Sequence, residues 1–205
     1  MITIVDYGVG NLASIRNMLK KIGHDSLISS READILEASK LILPGVGAFD
    51  TCSEKLRNSG LIQPVNKKVL DDKLPILGIC VGCQLLLEGS EEGQLPGLGW
   101  IKGKTVKFKQ ADLPEGTKIP HMGWTDVSLA RQSVLFEDMY PDPRFYFVHS
   151  YYPNPLAESD VLVYAQYGYR FVAGVERGNI AGVQFHPEKS HKFGMKLLSN
   201  FANHF

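Results

Sequence analysis

Cys80 sits in Gly78-Ile79-Cys80-Val81-Gly82, behind the apolar stretch Pro75-Ile76-Leu77 and ahead of the apolar run Leu85-Leu86-Leu87. A Gly-x-nucleophile-x-Gly pattern marks a tight turn from a buried strand into a helix. Only small residues fit beside the turning point, and the turn pushes the central side chain out above the sheet. A cysteine there can serve as a nucleophile. It lies at a helix N-terminus, where backbone N–H groups and the helix dipole favour a thiolate and can stabilise an oxyanion. The pattern by itself fits a structural cysteine at the end of a core strand equally well.

A cysteine nucleophile needs a base, and the base needs an orienting group. Among the six histidines, His24, His191 and His204 lie beside predicted helix ends and suit the surface. His121 and His149 lie among aromatic residues and suit the core or a substrate loop. His186 ends the apolar strand Gly182-Val183-Gln184-Phe185 and precedes Pro187-Glu188. Pro187 keeps His186 out of the helical region. In an extended segment His186 and Glu188 point to one side, so they can act as base and orienter facing Cys80. No metal site is expected: Cys80-x-x-Cys83 has no second pair and the histidines lack ligand spacing. Cys83 is expected to pack inward as a small apolar side chain. A Cys80–Cys83 disulfide is the sterically allowed alternative.

These residues must be held by a scaffold, and the chain is long enough to provide one. It has 205 residues, of which 44% are hydrophobic, so a single domain with a full core is the default. Lysine plus arginine and aspartate plus glutamate both number 22, which argues against nucleic acid or an anionic membrane as the main partner. Three cysteines form no disulfide framework, consistent with a reducing cytoplasm. The N-terminus does not read as a signal peptide, and no apolar run is long enough to span a bilayer.

In chain order, Ile2–Val5 reads as a strand and the glycine-bearing stretch 6–11 as a turn. Residues 12–22 read as an amphipathic helix stopped by Gly23. Gly8 and Gly10 suggest a dinucleotide fingerprint, but Ala13 stands where its third glycine belongs. Further strands are expected at 26–29 and 41–43, the latter entering Pro44-Gly45-Val46-Gly47, whose backbone N–H groups suit an oxyanion. One or two helices follow at 49–71. The alternation predicts an α/β fold: a three-layer, mostly parallel sheet with helices on both faces. Ligands of such sheets bind beyond the carboxyl ends of the strands. The C-terminal half is expected to add antiparallel strands at 104–109, 117–120, 145–148, 161–165, 171–176 and 180–185, and a covering helix at 193–205.

Three segments together, Pro44-Gly45-Val46-Gly47, Gly78-Ile79-Cys80-Val81-Gly82-Cys83-Gln84 and Gly182-Val183-Gln184-Phe185-His186-Pro187-Glu188, resemble the signatures of class I, triad-type glutamine amidotransferases. Pro120-His121-Met122-Gly123-Trp124, Phe147-Val148-His149-Ser150-Tyr151-Tyr152 and Pro187-Glu188-Lys189-Ser190 are similar to the glutaminase subunits of imidazole glycerol phosphate synthases. The resemblance runs nearly end to end and implies one amidotransferase domain over 1–205. It implies Cys80, His186 and Glu188 as the triad and backbone N–H groups of Val81 and Val46 as the oxyanion site. Gly47, Gln84, Glu92, Ser150 and Tyr151 would hold L-glutamine, with no cofactor. Met122, Trp124 and Lys189 would be interface or gate residues. The implied partner is a cyclase subunit, a (βα)8 barrel, forming a heterodimer that uses the ammonia in L-histidine biosynthesis. Cys83 and Trp100 depart from the usual residues of these subunits. The stretch Ser190-His191-Lys192-Phe193-Gly194-Met195 is closer to paralogues that feed ammonia to sugar-modifying enzymes of surface-polysaccharide (O-antigen) synthesis, which is the alternative pathway.

Overall fold

A computed structural model describes residues 1–205. Five strands form a parallel half-sheet: β1 (Ile2–Val5), β2 (Ser26–Ser29), β3 (Lys40–Gly45), β4 (Ile76–Cys80) and β11 (Ile180–Val183). β1, β4 and β11 are buried along their whole length, as continuous apolar strands covered on both faces should be. Four antiparallel strands extend the sheet: β6 (His121–Leu129), β7 (Arg144–His149), β9 (Val161–Tyr167) and β10 (Tyr169–Arg177). The order across the sheet is β2-β1-β3-β4-β11-β10-β9-β6-β7. β5 (Gly103–Lys107) and β8 (Tyr151–Pro155) form a separate antiparallel ribbon.

The helices are α1 (Leu12–Lys21), α2 (Glu32–Leu36), α3 (Phe49–Asn58), α4 (Ile62–Asn66), α5 (Val81–Gln84) and α6 (His191–Asn203). α1 meets α6, α2 meets α4, and α3 meets α5. No helix is long and apolar enough to cross a membrane.

The architecture agrees with the expected α/β class, and several details differ. β11, expected at 180–185 among the antiparallel strands, runs parallel to β4 and is antiparallel only to β10. β8 adds a strand at Tyr151–Pro155 where none was expected. Residues 117–120 form no strand; β6 begins only at His121. The helix behind Cys80 is one turn, Val81–Gln84. It stops because the carbonyls of Leu85, Leu86, Leu87 and Glu88 accept hydrogen bonds from Leu98, Ile101, Gly99 and Gly97 of the following loop rather than from a next helical turn. A single turn has little macrodipole, so local N–H groups carry the electrostatics at Cys80. The last helix starts two residues earlier than expected, at His191.

Candidate active site

Cys80 ends β4 with φ of 55° and ψ of −115°. This is a left-handed conformation for a residue with a side chain, and it costs on the order of 1–3 kcal/mol. The surroundings hold it there. Gly78 and Gly82 close the elbow against itself and against β3: a Cβ at Gly82 would lie 1.9 Å from the Leu43 carbonyl oxygen. Gly45 pairs in register with Cys80, so the oxyanion segment begins beside the nucleophile.

Three more strand ends converge on the same rim. β1 runs into the turn that ends at Asn11, β3 into Val46–Gly47, and β11 into His186. A cleft of about 430 Å³ is lined by residues of all four strand ends, among them Asn11, Val46, Gly47, Cys80, Val81 and His186. It is also lined by Gln84, Glu92, Ser150, Tyr151 and Lys189. The structure thus gathers the sequence-predicted residues in one place, except three. Glu188 lies behind His186. Met122 and Trp124 are exposed on β6, outside the cleft, 61% and 43% accessible.

His186 Nδ1 is 2.8 Å from Glu188 Oε1, and both side chains are buried. The route to this contact differs from the expected extended segment. Only His186 is extended; Pro187–Lys189 is a 3-10 turn, and the turn brings the carboxylate back to the ring. Burial pulls the His186 pKa down, but the neighbouring Cys80 and Glu188 outweigh it and raise the pKa to about 10. Burial also pushes Glu188 up, yet its bonds to His186 and Asn11 hold it below the ordinary carboxylate value. The pair is therefore imidazolium and carboxylate at neutral pH. His186 Nε2 is buried and has no hydrogen-bond partner, which leaves it free for a proton moving to or from substrate.

Two contributors were not visible in the sequence. Asn11 occupies the N-cap position of α1 without capping it. Its Nδ2 donates instead to Glu188 Oε1 at 2.9 Å, so the helix forgoes a cap that is typically about 1 kcal/mol. Gln184 donates from Nε2 to Cys80 Sγ at 3.7 Å, while its Oε1 accepts from Gln84 Nε2 at 3.0 Å. Gln84 also donates to the Tyr151 carbonyl at 3.3 Å, and its own Oε1 is left buried and unpaired.

At the far wall, Glu92 Oε2 accepts from the Phe49 N–H at 2.9 Å, which fixes one carboxylate oxygen at the mouth of the cleft. Val81 is the first residue of α5, so its N–H has no intrahelical acceptor. Cys83 packs inward, its sulfur in the space a Cβ on Gly182 would need. Burial raises its thiol pKa far above normal. The inward packing leaves the Cys80–Cys83 disulfide without geometric support.

The buried histidines set a pH profile for stability. Burial lowers His121 to about 4 and His149 to about 3. The unfolded chain binds protons at these sites below about 6.5, and the folded chain does not. Their contribution to stability is therefore lost as pH falls from about 6.5 toward 4 and below. His186 acts in the opposite sense: its contribution is complete below about 6.5 and is lost as pH rises toward about 10. Urea midpoints measured from pH 4 to 10 should fall at both ends, and an acid limb that stays flat would contradict the placement of His121 and His149.

A cysteine at a left-handed elbow facing an imidazolium–carboxylate pair is the equipment for transferring an acyl group through a thioester. The chain belongs to the class-I glutamine amidotransferase family, whose model matches residues 3–205. Within it, the chain is 52% identical over 201 residues to imidazole glycerol phosphate synthase subunit HisH 2 of Methanococcus maripaludis, covering 98% of each chain. It is 49% identical to the subunit of the same name in Pseudomonas aeruginosa, again over 98% of each. A crystal structure of a glutamine amidotransferase matches it with a TM-score of 0.72 at 19% identity, covering 98% of each chain, a likeness of fold.

Proposed function

We propose that this chain is the glutaminase subunit of an imidazole glycerol phosphate synthase. It hydrolyses L-glutamine to glutamate and ammonia and passes the ammonia to a cyclase subunit. The observation that carries the reading is Cys80, held at positive φ in a cleft that His186 also lines, with Glu188 buried behind the imidazole.

The geometry supports a two-stage reaction. Cys80 Sγ, its proton already passed to His186, attacks the side-chain amide carbon of glutamine. The oxyanion forms against backbone N–H groups of Val81 and Val46. Collapse of this intermediate expels ammonia as His186 returns a proton to the departing nitrogen. The γ-glutamyl thioester left on Cys80 is then attacked by water, whose proton goes to His186, and glutamate departs. Glu188, itself held by Asn11, keeps the ring oriented throughout. Gly47, Gln84, Ser150 and Tyr151 line the cleft around the substrate, and the free oxygen of Glu92 suits its ammonium group.

The partner in this reading is a (βα)8-barrel cyclase in a heterodimer. It uses the ammonia to form imidazole glycerol phosphate and an aminoimidazole carboxamide ribotide in L-histidine biosynthesis. Residues 1–205 act as one domain, and the cytoplasm is the proposed location. Exposed Met122 and Trp124, with Lys189 at the cleft mouth, form the proposed docking and gate surface. The surface-polysaccharide alternative gains nothing from the relatives named above, both of which are imidazole glycerol phosphate synthase subunits.

The test is dependence on the partner. The isolated chain should hydrolyse glutamine slowly, and the complex loaded with the cyclase substrate faster by about 10²–10³, the value of one oxyanion donor. The Pro44-Gly45-Val46-Gly47 segment is the proposed switch, because a peptide flanked by glycine can turn its N–H toward the oxyanion. Equal rates with and without the loaded partner would overturn this reading.

A further inference from the structure

Outside the triad, two buried histidines are bonded to each other: His149 in the lining of the cleft and His121 behind it. His121 is 2% and His149 6% exposed. His121 Nδ1 is 2.9 Å from His149 Nε2, His149 Nδ1 is 2.8 Å from the Tyr151 carbonyl, and His121 Nε2 is 2.7 Å from Thr125 Oγ1. The carbonyl can only accept, so His149 Nδ1 carries a proton. A neutral His149 then accepts at Nε2 from His121 Nδ1–H, and His121 Nε2 accepts from the Thr125 hydroxyl. Every proton in the chain runs one way, from Thr125 on β6 to the Tyr151 carbonyl at the start of β8.

That carbonyl is a junction. It also receives Gln84 Nε2, whose other N–H orients the Gln184 amide against Cys80. From this arrangement we infer that His121 and His149 are positioning residues: through the Tyr151 carbonyl they fix the Ser150–Tyr151 turn and the Gln84 amide that hold glutamine. The inference rests on the glutaminase reading. The surroundings fit neutral, immobile rings. His121 stacks between Phe147 and Tyr167, with centroids at 4.9 and 4.2 Å, and Phe108 and Phe171 flank His149 at 5.2 and 5.4 Å. A neutral His149 also spares the His186 imidazolium a like-charged neighbour.

Two substitutions separate positioning from bulk packing. An asparagine amide reaches the Nδ1 position of histidine, and a glutamine amide reaches the Nε2 position. His149→Asn keeps the bond to Tyr151 and loses the one to His121; His149→Gln does the reverse. In the complex with its cyclase partner, His149→Gln should raise KM for glutamine by about tenfold, the effect of leaving one buried carbonyl under-bonded. His149→Asn should stay within about threefold of the parent. The synthase reaction run on ammonium salts should be unchanged in both.

If the parent complex hydrolyses glutamine but His149→Gln matches it, or His149→Asn is the worse of the two, the positioning role is overturned. A parent complex that does not hydrolyse glutamine overturns the glutaminase reading instead. A second measurement needs no variant. Long-range ¹⁵N–¹H spectra of the histidine-labelled parent complex at neutral pH should show both rings neutral with the proton on Nδ1. An Nε2–H tautomer at His149 would refute the inference.

Discussion

Cys80→Ala is expected to lower glutamine hydrolysis by about four to six orders of magnitude, as removal of a nucleophile does. The chain should still fold. Alanine keeps the Cβ and the same left-handed backbone, and the elbow is held by contacts of Gly78, Gly82 and Gly45 that do not involve the sulfur. Partner binding should survive, because the proposed docking residues Met122 and Trp124 lie on β6 and not in the elbow. With ammonium salts in place of glutamine, the partner's synthase reaction should proceed at the parental rate. The measurement is glutamate release alongside co-purification with the cyclase. Glutamate release within tenfold of the parent would remove Cys80 from the chemistry.

Gly82→Ala tests the scaffold rather than the thiol. The added methyl would stand 1.9 Å from the Leu43 carbonyl oxygen and 2.9 Å from its carbon. Both are backbone atoms of β3, so no side chain can swing away. The elbow and β3 must part, and β3 carries the oxyanion segment at its end. The expected loss of stability is about 4 kcal/mol or more. For a chain of this size that is a fall in melting temperature of about 8–16 °C, with activity lost in the fraction that folds. Gly89→Ala is the matched control. Its nearest neighbour would be the Leu95 carbonyl at 4.0 Å, so it should melt with the parent. Parental melting of Gly82→Ala would show that β3 does not lie where the structure puts it.

The parts of the site legible in the sequence are those encoded locally. The elbow needs two glycines, an apolar strand and a nucleophile within a few residues, so Cys80 could be read directly. His186 and Glu188 are two residues apart after an apolar strand, and the pairing was readable even though a turn, not an extended strand, makes the contact. What escaped depends on pairing across the fold. Asn11 reads as part of a glycine turn, and only the packing of α1 against the Pro187–Lys189 turn gives its amide Glu188 as acceptor. Gln184 reads as one more strand residue until β11 lies beside β4. His121 and His149 read as core or loop histidines because nothing local announces that β6 and β7 place them directly opposite each other. α5 stops after one turn for a related reason, invisible locally: the carbonyls that would continue it are claimed by a loop ten or so residues downstream.

The pairing of β11 with β4 has a kinetic consequence. Gln184 and Cys80 are 104 residues apart in the chain, and between them lie all the antiparallel strands of the sheet. Closing so long a loop is slow, and its entropy is spent before any contact rewards it. The elbow can form once β3 has paired with β4, with its cysteine already exposed, while its base is still in an unfolded tail. A refolding or nascent chain thus passes through a stage with a bare thiol and no imidazole to set it working. Acyl-transfer competence arrives only when the last strand docks, so recovery of turnover should lag behind recovery of secondary structure. Until then, reagents that alkylate thiols should find Cys80 more open than in the finished molecule.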